Sequence, residues 1–303
     1  RSTMKIIKPI EVNDTIFQSS NVPENDHAEW AVGTTYALGA KVIVLSTHAI
    51  YESAGGGNVG NDPTTDTVNW FTTGATNRWK AFDKKISDPV TNTTSITYTL
   101  QDAASSVTAI AFFGLVGTSV NVTVTTAAGA EVYNVTKSLV ETDGVTDWYS
   151  YFFLESTTNK EAQFLSIPPY LNADVAITIT TATGETAKVG QIVLGYLTSF
   201  GLTTYGTSLS IEDYSSKEVD AFGNFIITER AFSNIADFNI RFLTSDARRI
   251  QNTLATFRAK PLVFIGSDET SYGLTLYGFY KRFDLTLETP SYSFGSVEIE
   301  GLT

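Results

Sequence analysis

Apolar positions along this chain recur in short runs of period two, separated by glycine- and asparagine-rich turns. Ser95-Ile96-Thr97-Tyr98-Thr99-Leu100, Val120-Asn121-Val122-Thr123-Val124 and Val175-Ala176-Ile177-Thr178-Ile179 each place alternate side chains on one face, the pattern of a half-buried strand. Glu131-Val132-Tyr133-Asn134-Val135 follows a turn at Ala127-Ala128-Gly129-Ala130, residues 187–194 follow a turn at Gly184, and residues 148–153 read as an aromatic strand. Further strands are expected at 207–211, 224–230, 235–243, 261–265, 272–287 and 292–300. One stretch changes period. Ala247, Ile250, Leu254 and Phe257 share a face at helical spacing, Ser245 or Asp246 is placed to cap, and Lys260-Pro261 to stop. This predicts a single helix over 246–259.

The first 82 residues are patterned differently. Residues 4–29 carry Ile6, Ile7, Ile10, Val12 and Ile16 among charged neighbours, and Pro9 limits this lead-in to an edge strand. Ser19-Ser20-Asn21-Val22-Pro23-Glu24-Asn25-Asp26 reads as loop. Residues 30–82 hold three of the four tryptophans, with Tyr36 and Tyr51 between them and a Gly55-Gly56-Gly57-Asn58 loop before Trp70. A unit of about 50 residues has little core volume, and large aromatics fill it efficiently. Trp30, Tyr36, Tyr51 and Trp70 are therefore its expected core.

Composition agrees with strands. Threonine occurs 44 times in 303 residues, beside 19 Phe and 14 Tyr, and these residue types suit pleated surfaces. The expectation is an all-β chain in four parts: a lead-in (1–29), a small three-stranded aromatic-rich module (30–82), a β-sandwich (83–200), and a β-rich, sandwich- or barrel-like C-terminal domain with one helix (201–303). The net charge of −12 disfavours nucleic acid as a partner. The absence of cysteine excludes disulfides and thiolate chemistry. No apolar run reaches the roughly 18 residues of a membrane span. Arg1-Ser2-Thr3 reads as an addition before a natural start at Met4, and no secretory leader is visible.

Chemistry is hard to find in the text. No two-histidine zinc helix, nucleophile elbow, phosphate-binding loop or dinucleotide fingerprint occurs, and Gly114-x-x-Gly117 reads as a strand-end turn. A serine-histidine site would need His27, in a polar loop, or His48, beside a strand. Acid pairs for glycoside hydrolysis exist among Asp213, Glu218 and Asp220, or Asp62 and Asp66, without a separation that sequence can supply. Asp62, Asp66, Asn58 and Asn61 offer hard oxygens of the kind calcium takes, at a spacing that matches no calcium loop. No catalytic residue, metal or cofactor is assigned. Arg241, Arg248, Arg249 and Arg258 form a basic focus in an acidic chain, either a subunit interface or a solvated helix face.

Two resemblances add to this. Trp30, Thr35-Tyr36, Gly39, Val42, Tyr51-Glu52, Asn61, Pro63 and Trp70 resemble the small carbohydrate-binding modules of bacterial chitinases. That implies three strands, a structural aromatic core and an exposed aromatic pair stacked on sugar. The matching place here is Ala54-Gly55-Gly56-Gly57-Asn58, which lacks the pair. The candidate glycan contacts left are Trp30, Trp79, Asn58 and Asn61, and weak or absent chitin binding is expected. Met4-Lys5-Ile6-Ile7-Lys8-Pro9-Ile10, Ser19-Ser20-Asn21-Val22-Pro23-Glu24-Asn25 and the module after them, with Tyr277-Gly278-Phe279-Tyr280-Lys281-Arg282-Phe283 and Tyr292-Ser293-Phe294, resemble structural tail-tip or baseplate proteins of long-tailed bacteriophages. This implies a non-enzymatic virion protein, assembled in the host cytoplasm into a homo-oligomeric ring with neighbouring tail or fibre proteins. The alternatives are a polysaccharide-binding receptor-recognition protein contacting a cell-surface glycan, or an accessory region of a glycan-degrading enzyme.

Overall fold

The computed structural model describes residues 3–140, 148, 158–219, 222–267 and 274–302. Its strands form one nine-stranded sheet, one five-stranded sheet, a three-stranded sheet and two two-stranded ribbons. The fold is all-β, with a single described α-helix, α1 (Ala247–Thr256), which enters from a 3-10 turn at Thr244–Asp246.

Within the nine-stranded sheet, six strands close on themselves. The circuit runs β1 (Thr3–Pro9), β19 (Leu262–Ile265), β20 (Thr275–Thr286), β21 (Tyr292–Gly301), β18 (Phe232–Leu243) and β14 (Gln191–Thr203), which returns to β1. Every pairing is antiparallel, and Leu202↔Arg241 and Thr203↔Ile240 make the closing seam. Closure leaves these strands no free edge over the paired length. The interior holds Met4, Ile6, Phe200, Phe238, Ile240, Phe242, Phe264, Val297 and Ile299, and α1 packs against it with Ile250 and Leu254 buried and Phe257 half-buried. The helical face expected from the sequence is thus the face that docks. Its N-cap residue is Asp246, but neither Asp246 nor Ser245 caps by side chain. The Asp246 carboxylate instead faces Arg249 Nε at 3.4 Å.

The lead-in departs from expectation. β1 is a central strand, paired with β14 along its length and with β19 at Lys5, Ile6 and Ile7. Pro9 is tolerated because it sits at the end of β1, beyond the β19 pairing, where its missing N–H breaks no ladder. The expected loop at 19–26 also begins as a strand. β2 (Phe17–Ser20) forms one edge of the five-stranded sheet by pairing with β7 (Ser95–Gln101).

That second sheet runs β10 (Glu131–Ser138), β9 (Ser119–Thr125), β12 (Asp174–Thr180), β7 and β2. Its alternation is strict. Ile96, Tyr98, Leu100, Val120, Val122, Val124, Val175, Ile177 and Ile179 point into one core, and the interleaved threonines and asparagine are half-buried on the other face. Opposite lie β8 (Ala109–Phe113), β11 (Glu161–Phe164) and the first half of β14, with the ribbon of β6 (Val90–Thr93) and β13 (Thr186–Val189). β8 is buried on both faces: Ile110 and Phe112 face the sandwich core, while Ala109, Ala111 and Phe113 pack with Ile7, Val263, Ile265 and Tyr277 on the outside of the barrel. Sandwich and barrel are therefore continuous through β14, and residue 200 falls within that strand. The aromatic strand expected at 148–153 lies outside the described residues apart from Trp148, which is exposed.

The small module is the three-stranded antiparallel sheet β3 (Lys41–Val44), β4 (Ala49–Ser53) and β5 (Trp70–Ala75). The remaining strands, β15 (Ser208–Asp213), β16 (Ser216–Val219) and β17 (Phe225–Thr228), build an arm. β15 pairs with the start of β18, and β16 pairs only with β17.

Candidate functional site

Trp70, Tyr51 and Val42 are the buried centre of the small module, with Trp30 and Tyr36 packed against them. The Trp70 indole N–H donates to the Asn61 carbonyl at 3.0 Å, its ring meets Tyr36 edge-on at 5.2 Å, and the Tyr36 hydroxyl accepts from Ala31 N–H at 2.9 Å. The four aromatics expected in the core are thus one cluster. The candidate glycan contacts sit elsewhere than on an open platform. Asn58 is buried, donating to Ser53 Oγ at 3.0 Å and the Asn69 carbonyl at 3.3 Å while accepting from Asn61 Nδ2 at 2.8 Å. Both amides therefore stitch the 55–69 loop, which has no side-chain bulk at Gly55, Gly56 and Gly57. Trp30 is half-buried against the core. The exposed ring of this module is Phe71, signalled only by its place one residue after an inward Trp70 on a strand.

Trp79 is 8% exposed and belongs to the joint between module and sandwich. Its ring stacks on His48 at 3.9 Å and lies 5.0 Å from Phe17. His48, in the β3–β4 turn with φ +50, faces Glu24 through Nδ1 at 2.9 Å and Asp14 through Nε2 at 2.7 Å. Glu24 also accepts from Thr76 Oγ1 at 2.8 Å and faces Arg78 at 3.5 Å. Each ring nitrogen thus meets a carboxylate and neither meets a nucleophile, so the geometry fits a clasp rather than a catalytic base. His27 is exposed in its loop.

The acid pairs are likewise engaged locally. Asp62 accepts from the Thr64 N–H and hydroxyl, and Asp66 accepts from Val68 and Asn69 N–H groups and the Asn69 amide, which hold its carboxyl below the ordinary range. Asp213 accepts from Ser215 N–H and faces Lys217, and Ser216 Oγ donates to Glu218. Asp220 lies outside the described residues. Among the described residues no group of three or more His, Asp or Glu could hold a metal ion. A cleft between barrel and sandwich is lined by Phe82, Lys84, Gln191 and Tyr277. Beside it Asp83 accepts from Lys85 N–H at 2.9 Å through one oxygen, while the other is buried without a partner.

The basic focus divides in two. Arg241 lies at the barrel seam with its guanidinium 4.9 Å from the Tyr292 ring centre, in a concavity with Leu202, Tyr205 and Phe294. Arg248 and Arg249 instead share an open groove with Lys8, Asn252 and Phe257. Arg249 also reaches the Ser199 carbonyl at 3.4 Å. Arg258 is exposed in the turn after α1.

The arm, described over residues 205–219 and 222–232, was not legible as such in the sequence. Phe222 is 90% exposed, Phe225 74% and Ile227 67%, and Leu209, Ile211, Val219, Ile226 and Phe232 are exposed as well. The signal present in the text is Phe225-Ile226-Ile227, an unbroken apolar run that calls for cover on both faces of a strand. Among the described residues, Phe225, Ile226 and Ile227 are left exposed. No protein-family model matches the chain, and no curated protein is similar to it. No described helix is long and apolar enough to cross a membrane.

Proposed function

We propose that this chain is a structural component of a bacteriophage tail tip or baseplate, acting in tail assembly and as an attachment point for neighbouring tail or fibre proteins. The observation that carries the reading is the arm. A two-stranded ribbon with apolar residues on both faces is marginal in water, and exposed apolar surface of this kind marks an interaction site. A protein that presents Phe225, Ile226 and Ile227 to solvent on such a ribbon suits an assembly role. The continuous sandwich and barrel offer a rigid body on which to mount it, and the tail-protein resemblance of residues 4–80 agrees. Sugar binding receives less support, because Trp79 is buried in the joint with the sandwich and Asn58 and Asn61 are engaged in the module's own hydrogen bonds.

The test is peptide mass spectrometry on purified tailed particles from a strain that encodes the chain. The expected result is this chain in a fixed, multiple-copy ratio to the other tail proteins. Its presence only in the soluble lysate fraction, with none in washed particles, would remove the proposal.

A further inference from the structure

The arm and the basic groove lie at opposite ends of the barrel. The arm springs from the start of β18, where Asp213 pairs with Phe232, whereas α1 follows the end of β18 at Leu243. At about 3.3 Å per residue, the 12 residues of β18 separate the two by roughly 35 Å. β1 runs parallel to β18 in the circuit of antiparallel pairs, so Lys8 also ends up beside α1. An arm rooted at one end leaves the groove at the other end of the same chain open.

The two surfaces are complementary. Residues 205–232 carry five acidic and two basic residues, a net −3. The groove presents Lys8, Arg248 and Arg249 around the half-buried Phe257. Phe257 also borders the cleft between barrel and sandwich, which Ile10, Val12, Lys260 and Pro261 line. Of the acids nearby, Asp246 faces Arg249 at the groove's edge, and Glu11 lines the adjoining cleft, where it faces Lys84. Apolar surface bordered by cations is what an acidic apolar ribbon requires.

We propose that the arm of one copy docks into the α1 groove of a second copy of this chain. The proposal rests on the assembly reading above and names the partner of its exposed surface. Donor and acceptor patches differ, so the contact is heterologous. It propagates head to tail, into a ring where the rotation between copies closes and into an open filament where it does not. Docking covers Phe225, Ile226 and Ile227 of β17 together with Val219 of β16, and places Glu218 among the arginines, which offsets the repulsion between acidic subunits.

The absence of cysteine makes the test direct. Ile227→Cys and Arg248→Cys are prepared as separate full-length variants, checked for unchanged melting, mixed at high concentration and treated with a short bifunctional maleimide. The expected product is a covalent dimer containing one of each variant, scarce when either is treated alone. A chain carrying both substitutions should give a ladder of higher oligomers. Arg248→Glu with Arg249→Glu should lower self-association in sedimentation at least tenfold, and mixing with a Glu212→Lys, Glu218→Lys chain should restore it. No mixed dimer, or dimers from Ile227→Cys alone in equal yield, overturns the proposal. In particles that contain this chain, that outcome leaves the tail assignment standing and assigns the arm to another protein. Mixed dimers from a chain that particles lack would do the reverse.

Discussion

Gly201 stands in β14 next to the barrel's closing seam. Its φ is +122, and a Cβ there would lie 2.5 Å from the Arg241 carbonyl across the seam. Opposite it the β1 register slips between Met4 and Lys5, so residue 200 is an extra residue that bends the strand. Gly201→Ala should destabilise the chain by about 1–3 kcal/mol through backbone strain, seen as a lower urea midpoint with unchanged slope; an unaltered midpoint would mean the seam is not held there. Asp83 acts through charge. Burial pushes its carboxyl above the ordinary 3.8, with the Lys85 N–H opposing. Between the unfolded and the raised folded value the native chain binds more protons than the unfolded one. The contribution of Asp83 to stability therefore falls as pH rises through that window and then levels. Melting temperature measured against pH should fall less across the window in Asp83→Asn than in the parent. Parallel curves would show that the buried oxygen carries no such penalty.

Among the elements, strands were legible and their partners were not. The period-two runs at 95–100, 120–124 and 175–179 are strands because threonine tolerates the half-exposed face while valine, isoleucine and tyrosine fill the core. Residues 4–8 carried the same signal, yet which sheet β1 joins depends on β19, more than 250 residues away in sequence, and local pattern holds no such information. The module's core aromatics were readable because so small a unit has few other ways to fill itself. Trp79, of the same residue type, instead joins module to sandwich through a histidine that no spacing singled out. Trp70→Ala should cost about 3–5 kcal/mol, from lost area and the cavity left behind. Limited proteolysis should then cut within 30–76 while fragments of the barrel and sandwich persist. Equal loss of protection throughout would show that the module does not unfold by itself.

At the scale of the whole molecule, a barrel closed at β14 and β18 has no spare edges over its paired length, and β14 ties it rigidly to the sandwich. The unsatisfied surface is concentrated in the arm at one end, and the clearest basic groove lies at the other. None of this was legible in the sequence. An apolar run predicts burial without saying whether the cover comes from the same chain, and the arginines at 248 and 249 become part of a groove only once β1 brings Lys8 beside them. Electron microscopy of the intact tailed particle tests the central claim most directly. Density at the distal end of the tail should fit the sandwich and barrel in repeated copies, each arm entering its neighbour. A complete tail tip, resolved to side-chain level, with every density assigned to other chains would contradict it.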